Sequence, residues 1–348
     1  MTPRERWLAT LTHQTADRVP CDFRATPEAV QRLMDHLGTA NMADVYTRLH
    51  IDPIVELAPR YVGPTLPPNE DVFGVRYHQS DYGLGTYADA VYHPLAQYGS
   101  VAEIEANYAW PDPDWWDYSG IPEQLRGNED QVIRGGGSEP FATLKFLRGT
   151  AQGYLDLIDN PEMVHYVLGK CYELCYQQTL RTYEAAPGAV IWTWVAEDVG
   201  SQEGLLISLD HIREFFVPHL RRMNDLVHSA GAFSFHHSDG AVRANVPQMI
   251  EAGIDVLDPI QWRAKGMDRA ELKRDFGDRL AFHGGMDNQH TLAFGSVRDV
   301  VQEVADNLRL LGPDGYILGP CHNLQAISPP ENIVAMYDAA YEMGGGGA

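Results

Sequence analysis

The sequence predicts a single-domain α/β fold, a (β/α) barrel. Short apolar runs alternate with helical patterns through its second half, and polar groups follow two of those runs. The run Phe233–His237 is followed by Ser238, Asp239 and a helical pattern, and Tyr316–Leu318 leads to Cys321. In a barrel of parallel strands the functional groups stand at the carboxyl ends of the strands. We therefore expect His237, Asp239 and Cys321 to converge from two strand ends.

The composition limits the class of protein. The 348 residues are 44% hydrophobic, enough for a large core, and α/β barrels commonly reach this length as one domain. We assign residues 1–343 to the barrel and 344–348 to a flexible Gly-rich tail. A formal net charge of -22 argues against nucleic acid or an anionic membrane as a partner. The N-terminal segment lacks the apolar core of a signal peptide, and no stretch is apolar enough to span a membrane, so we expect a cytoplasmic protein.

Strands and helices alternate from about residue 189 onward. The predicted strands are Ala189–Ala196, Phe233–His237, Ile254–Leu257, Leu280–His283 and Tyr316–Leu318. The predicted helices, most of which are closed by a glycine, are Ser208–Ala230, Val242–Ala252, Asp268–Phe276, Val297–Leu311 and Pro329–Met343. This alternation predicts βαβ units and a parallel sheet.

The first half of the chain is less regular. Arg18–Phe23 and Ile51–Leu57 are predicted strands. Residues 59–130 are rich in Pro, Gly, Tyr and Trp and predict long loops over the barrel mouth, with room for a small hairpin. Gly135–Gly137 predict a turn that admits a substrate or the backbone closely; a phosphate loop would need a Lys-Ser/Thr pair after the glycines.

Several segments resemble the uroporphyrinogen decarboxylase superfamily, which contains the decarboxylase and the methylcobamide:coenzyme M methyltransferases. The resemblance spans nearly the whole chain, is densest from about 190 to 343, and implies a single (β/α)8 barrel. The segments are Asp17-Arg-Val-Pro20, Phe235-His-His-Ser-Asp-Gly240, Glu251-Ala-Gly-Ile-Asp-Val-Leu257, Gly319-Pro-Cys-His-Asn-Leu-Gln325 and Pro330-Glu-Asn332.

Two motifs indicate which branch of the superfamily the chain resembles. The decarboxylases carry an Arg-Gln-Ala-Gly-Arg-Tyr motif whose arginines grip substrate carboxylates, and the nearest match here keeps only Arg60 and Tyr61. The methyltransferases bind zinc through His-x-Cys and a later Cys, positions that the resemblance places at His237, Asp239 and Cys321. Aspartate replaces the middle cysteine. It is an acceptable but harder zinc ligand, which puts a thiol substrate in doubt.

Each predicted ligand also has a structural interpretation. Asp239 could cap a helix, His237 could be a satisfied core histidine, and Cys321 could be a small buried hydrophobe. Cys171 and Cys175, four residues apart on a helical pattern, are predicted to pack in the core.

Other strand ends offer further polar groups. Glu197 is a candidate general base or fourth ligand, and a helix-start carboxylate is the alternative. His283 and Asp287 end another predicted strand and are candidates for the catalytic pocket. Trp115 and Trp116 stand in the predicted mouth loops, where aromatic side chains could receive a corrinoid or simply pack the loop.

The resemblance implies a zinc-dependent methyltransferase that moves a methyl group between a small molecule and a corrinoid. Because the chain lacks a corrinoid-binding Asp-x-His-x-x-Gly motif, the resemblance implies that the corrinoid arrives on a partner protein. In that prediction Arg60, Tyr61, Trp115 and Trp116 surround the corrinoid. Two alternatives remain: a decarboxylase of a tetrapyrrole carboxylate, and a module without catalytic activity that binds a corrinoid or tetrapyrrole.

Overall fold

A curled sheet of seven parallel strands forms the centre of the protein in this computed structural model, which describes residues 1–346. In chain order the strands are β1 (Ile54–Leu57), β2 (Arg60–Tyr61), β3 (Arg76–Asp81), β4 (Thr86–Tyr92), β5 (Trp116–Asp117), β6 (Val132–Ser138), β7 (Trp192–Val195), β8 (Phe233–His237), β9 (Val256–Asp258), β10 (Ala281–Met286) and β11 (Tyr316–Pro320). The seven-stranded sheet has the order β1-β6-β7-β8-β9-β10-β11, with all neighbours parallel.

The N-terminal segment lies between the two edges of this sheet. Cys21 forms a parallel bridge with Leu318 of β11, and its carbonyl oxygen accepts a hydrogen bond from the N–H of Asp52, just before β1 (3.1 Å). This segment takes the position of an eighth strand, so the predicted barrel-type fold is confirmed. The predicted strand Arg18–Phe23 is reduced to isolated bridges because Pro20 has no N–H to donate.

Helices surround the sheet and follow most of its strands. They are α1 (Pro3–Leu11), α2 (Pro27–Leu37), α3 (Met42–Arg48), α4 (Val101–Asn107), α5 (Ile121–Leu125), α6 (Pro140–Arg148), α7 (Thr150–Asp159), α8 (Pro161–Ala185), α9 (Leu209–Phe215), α10 (Val217–Ser229), α11 (Val246–Glu251), α12 (Arg269–Phe276), α13 (Thr291–Phe294), α14 (Val297–Leu311) and α15 (Pro330–Met343). None of the helices within residues 1–346 has the length and apolar character needed to cross a bilayer.

Prolines divide two of the predicted helices. The expected helix Ser208–Ala230 is interrupted at Phe216, where Pro218 stands in the first turn of α10 and cannot continue the hydrogen bonding of α9. The expected helix Val242–Ala252 begins as a 3-10 turn and becomes α11 only at Val246, again with a proline in its first turn.

The predicted mouth loops contain two small antiparallel pairs. Strands β3 and β4 form a hairpin, and β2 pairs with β5, so that Tyr61 lies opposite Trp116. The prediction of a turn at Gly135–Gly137 is wrong. These glycines belong to β6, where the register with β7 shifts. Gly136 has a φ of +69°, and a Cβ there would clash with Thr179, so the strand kinks against α8. The last two residues of the predicted tail, 347 and 348, lie outside the described residues.

Alternate residues of each barrel strand point inward and form two layers. The lower layer is apolar and includes Trp192, Phe235 and Val256. Trp7 of α1 is fully buried beneath it and stacks on Trp192 and Phe235, with ring centroids 6.3 and 6.0 Å apart. Helix α1 therefore closes the amino-terminal end of the barrel, and the polar layer above it faces the opposite mouth.

Trp7→Ala should lower the free energy of unfolding by about 3–5 kcal/mol, because it leaves a large cavity under the barrel. Urea denaturation at neutral pH measures this. Phe294→Ala, which truncates an aromatic ring that is 70% exposed, is the control and should change stability by under about 1 kcal/mol. If Trp7→Ala loses little stability, α1 does not close the amino-terminal end of the barrel as assigned.

Candidate functional site

A polar cavity of about 840 Å³ opens at the carboxyl ends of the barrel strands. The strand alternation that buries Phe235 in the lower layer carries His237 into this cavity, two residues further along β8. The neighbouring His236 points away and contacts the carbonyl oxygen of Val195 through its Nδ1, and burial lowers its pKa to about 4. Charged and polar residues that line the cavity are Arg24, Glu56, Arg134, Ser138, Glu139, Gln178, Thr182, Asp198, His237, Asp239, His322 and Asn323.

The cavity floor is built around the fully buried carboxylate of Asp258 at the end of β9. It accepts hydrogen bonds from Arg24 (2.7 Å), from His237 Nδ1 (2.8 Å) and from His283 Nδ1. Burial alone would raise the pKa of Asp258, but Arg24 and the two histidines outweigh it and hold the pKa well below its usual range. Asp258 is therefore an anion that fixes three side chains from three other strands or loops.

His283 lies between two carboxylates. Its Nε2 is 3.0 Å from Asp22 Oδ2, while its Nδ1 contacts Asp258. Burial lowers the pKa of His283, but Asp258 and Asp22 more than offset this, and the pKa is raised. With His283 protonated, the charges of Asp22, Asp258, Arg24 and His283 sum to zero, which allows the cluster to stay buried.

Of the two histidines in this network, His237 is the one that lines the cavity. Because its Nδ1 donates to Asp258, its Nε2 faces outward, 3.7 Å from Asp239 Oδ2, and the ring stacks on Trp194 with centroids 4.7 Å apart. Burial lowers the pKa of His237, but the hydrogen bond to Asp258 and the charge of Asp239 outweigh burial, so that the pKa is raised. This geometry equips Nε2 to accept or return a proton at the cavity surface.

Besides Glu56, which pairs with Arg134, three carboxylates line the cavity. They belong to Glu139, Asp198 and Asp239, and Asp198 accepts a hydrogen bond from the backbone N–H of Asp239 (2.9 Å). Burial raises the pKa of Glu139, and the charge of Asp198 adds to this. Burial also raises the pKa of Asp239, against the opposing effect of His237 and His322.

The three predicted metal ligands are not all brought together. His237 and Asp239 share the cavity, but the buried Cys321 does not line it, and its Sγ donates to the carbonyl oxygen of Ile260 (3.3 Å). Burial raises the pKa of Cys321 well above its usual value, which disfavours the thiolate that zinc requires. Within residues 1–346 no group of three or more His, Cys, Asp or Glu side chains is arranged to hold a metal ion. The residues as placed do not fit a zinc site, and bound zinc stays a prediction.

Two of the predicted catalytic carboxylates lie away from the cavity lining. Glu197 is 1% exposed and accepts hydrogen bonds from the hydroxyl of Tyr172 and the N–H of Phe141 (3.1 Å). Asp287 contacts Arg263 and accepts from the backbone of Thr291 at the start of α13 (3.2 Å). Both carboxylates therefore make local contacts away from the cavity lining, and their catalytic roles stay predictions. The third candidate, His283, belongs to the cavity floor.

The predicted corrinoid-binding residues form one rim beside the cavity. Arg60 is paired with Asp117 (2.7 Å), and the ring of Tyr61 lies edge-on to Trp115 and Trp116. Of these four predicted residues, Trp116 lines the cavity. These four residues therefore lie together beside the cavity, and their binding of a corrinoid stays a prediction.

Arg24 and Glu139 are the main cavity residues that the sequence pattern missed. Arg24 directly follows the predicted strand Arg18–Phe23, and Glu139 follows the glycine run of β6. Both therefore stand at strand ends, the same signal that located His237. Asp258 directly follows the predicted strand Ile254–Leu257, and its three partners lie 21 or more positions away in the sequence.

A barrel of parallel strands with a titratable cavity at its carboxyl edge defines the class of protein: a (β/α)-barrel protein with its functional site at the strand ends. The family model for uroporphyrinogen decarboxylase (URO-D) matches residues 124–343, and the chain belongs to this family. The predicted superfamily is confirmed.

Curated relatives in this family are distant. The chain is 27% identical over 212 residues to uroporphyrinogen decarboxylase of Anaeromyxobacter dehalogenans, covering 60% of this chain and 54% of that protein. It is 23% identical over 220 residues to uroporphyrinogen decarboxylase 2, chloroplastic, of Arabidopsis thaliana, covering 61% and 48%. The match thus spans about half the length of these relatives.

A solved structure resembles the whole chain. A methyltransferase from Methanosarcina mazei superposes with a TM-score of 0.71 at 20% identity, covering 99% of both chains. At this identity the likeness establishes the fold alone.

Asp258→Asn should lower the pKa of both His237 and His283, because each loses its anionic partner, and should cost about 3–5 kcal/mol of stability by leaving Arg24 uncompensated. Histidine titration by NMR and urea denaturation measure the two effects. Asp255→Asn is the matched control: it removes the carboxylate that raises the pKa of His228 on the surface, so only the His228 pKa should fall. Unchanged titration of His237 in Asp258→Asn would contradict the network.

Glu197→Gln should change the pH dependence of stability. Burial raises the pKa of Glu197 to about 8, so the folded state holds an extra proton between the unfolded pKa, about 4.3, and that value. Wild-type stability should therefore fall as pH rises through this window. The stability of wild type minus that of Glu197→Gln should decrease by about 1 kcal/mol per unit from pH 5 to pH 8 in urea denaturation. If the stabilities of wild type and Glu197→Gln change with pH in the same way, Glu197 titrates near its ordinary pKa and the prediction is wrong.

Proposed function

We propose that the protein is an enzyme of the methyltransferase branch of this superfamily, and that it moves a methyl group between a small molecule and a corrinoid carried by a partner protein. The observation that carries the proposal is the position of His237. Its Nδ1 is fixed by Asp258 and its Nε2 faces a cavity large enough for a small substrate beside a carrier (about 840 Å³).

In this reaction His237 accepts and donates a single proton. When the small molecule accepts the methyl group, Nε2 takes the proton from its attacking atom, and Asp258 stabilises the imidazolium that forms. When the small molecule gives the methyl group, the same proton returns to the leaving atom. The bound corrinoid supplies a cobalt centre that exchanges the methyl group. Asp239, 3.7 Å from Nε2, helps to orient the substrate.

The charge of the cavity supports this branch over decarboxylation of uroporphyrinogen. Arg24 is neutralised by Asp22 and Asp258, and Arg134 is paired with Glu56 (2.7 Å). The remaining carboxylates would repel a substrate that carries eight carboxylates. The exposed Arg60, the remnant of the predicted arginine clamp, is paired with Asp117 outside the cavity lining.

Decarboxylation is the second candidate, because the curated relatives are named as decarboxylases. We expect purified protein to form no coproporphyrinogen from uroporphyrinogen in an anaerobic assay. The physical reason is the acidic cavity, in which both arginines are already paired. Formation of coproporphyrinogen at a rate proportional to protein concentration would support decarboxylation and contradict the methyl-transfer proposal.

The direct test of methyl transfer uses free cob(I)alamin with tetramethylammonium, dimethyl sulfide or methoxybenzene as donor, and follows formation of methylcobalamin by absorbance. Wild type should accelerate transfer from at least one donor. His237→Gln should slow methyl transfer between methylcobalamin and a protic acceptor by a factor of about 100 or more, because that step needs proton transfer. His228→Gln, on the surface beside Asp255, is the control and should leave the rate unchanged.

Absence of transfer from all three donors, with folded protein, would contradict the proposal. Equal rates for wild type and His237→Gln in the protic direction would remove His237 from the mechanism. Elemental analysis of the same protein tests the predicted zinc independently of these rates.

A further inference from the structure

We propose that the hairpin of β3 and β4 is a strap that closes an open seam of the barrel, and that release of its tip widens the entrance to the cavity. The seam is the gap between residues 22–25 and β1. The inference goes beyond the proposed function, because it concerns access to the cavity and holds for either candidate reaction.

The seam is a break in the wall of the barrel. On the β11 side, residues 22–25 are held by the backbone, since the N–H of Leu324 donates to the carbonyl oxygen of Arg24 (2.8 Å). On the other side, within residues 1–346, no backbone hydrogen bond joins residues 22–25 to β1. A small cavity of about 150 Å³ lies in this gap, lined by Phe23 and Arg24 and by Ile54 and Glu56 of β1. Arg24 and Glu56 also line the main cavity, so the two cavities adjoin.

The strap reaches from one side of the seam to the other. It is part of the insertion of residues 62–115, whose two ends are held together by the pairing of β2 with β5 on the β1 side, where Trp116 lines the cavity. At its tip, the Nε2 of Gln325 donates to the hydroxyl of Tyr87 (2.7 Å). Gln325 belongs to the loop after β11, in which His322 lines the cavity. Because the N-terminal segment lies between β11 and β1, the strap connects two walls of the cavity across the seam.

The strap is anchored at its base and at its tip. At the base, the ring of Tyr77 lies edge-on to Phe146, with centroids 6.2 Å apart, and its hydroxyl donates to Asp71 (2.8 Å). No residue of β3 or β4, both of which the structure describes in full, is buried. A hairpin of two strands without a buried face is marginally stable at best. The contact of Tyr87 with Gln325 therefore holds the tip across the seam.

Release of the tip requires little free energy. The contact of Gln325 with Tyr87 joins two exposed side chains, and a hydrogen bond of this kind shifts an equilibrium by a factor of about 2 to 12. Segments with few buried contacts open locally at low free energy, without unfolding of the rest of the fold. Release frees the loop after β11 to move away from β1, which widens the entrance beside Arg24.

A thiol that lines the cavity measures the width of the entrance. Cys175 lines the cavity, whereas Cys171, one turn earlier on α8, is buried. The full chain is treated at one pH with two neutral reagents, the small N-ethylmaleimide and the bulky N-(1-pyrenyl)maleimide, and mass spectrometry gives the rate at each cysteine. Gln325→Ala should raise the rate of the bulky reagent at Cys175 by about threefold or more, and that of the small reagent by less.

Two further variants test the strap itself. Tyr87→Phe keeps the ring but loses the hydroxyl, and it should act as Gln325→Ala does. Replacement of residues 80–87 by Asn-Gly joins Gln79 to Ala88 through a two-residue turn, so that the strap becomes too short to reach Gln325. This shortened variant should react with the bulky reagent at least as fast as Gln325→Ala. Circular dichroism checks that each variant is folded.

Gln31→Ala is the matched control, because it removes the same amide from an exposed contact with Asp35 on α2 and should react as wild type does. Unchanged rates of the bulky reagent in the shortened variant would overturn the inference. An equal increase for both reagents, or an equal increase at Cys171, would also overturn it, since neither reports a wider entrance. The assay needs no substrate, so its result bears on the strap alone.

Discussion

The buried carboxylate of Asp258 is the interaction on which the cavity floor depends. It is fully buried, and it accepts hydrogen bonds from one arginine and two histidines that come from separate parts of the chain. A buried charge is tolerated only when it is paired and hydrogen-bonded. The same contacts that stabilise the anion therefore fix the orientation of His237, so the stability of the floor and the chemistry of the cavity cannot be separated.

The barrel produces this arrangement by alternating its inward-pointing residues. Along β8, Phe235 completes the apolar layer above Trp7, and His237 begins the polar layer. Along β9, Val256 and Asp258 repeat the pattern. A shift of either strand by one residue would exchange the side chains that point into the barrel with those that point toward the helices, which the packing of the apolar layer prevents. The hydrophobic lower layer thus sets the register of the residues that act at the mouth.

The strand-and-helix pattern of the second half, the barrel class and the position of His237 could be predicted from sequence because they depend on local periodicity and on where strands end. The sequence could not predict which side chain faces the cavity after β11. Cys321 and His322 are neighbours, and only tertiary packing decides that Cys321 turns toward Ile260 while His322 lines the cavity. The network of Arg24 with Asp258 joins residues over 200 positions apart, which no local pattern reveals. The sequence predicts a turn at Gly135–Gly137 and not a strand. The kink of β6 against Thr179 is a tertiary contact, so the local pattern does not reveal it.

Asp258 holds His237 so that its Nε2 is free for proton transfer at the cavity. Long-range nitrogen–proton NMR correlations of the histidine side chains measure the tautomer directly, with Asp258→Asn used to assign the ring that contacts this carboxylate. The neutral form of His237 should carry its proton on Nδ1, as expected for donation to Asp258. A neutral His237 that carries its proton on Nε2 would place the N–H toward the cavity, leave no lone pair there, and contradict the account.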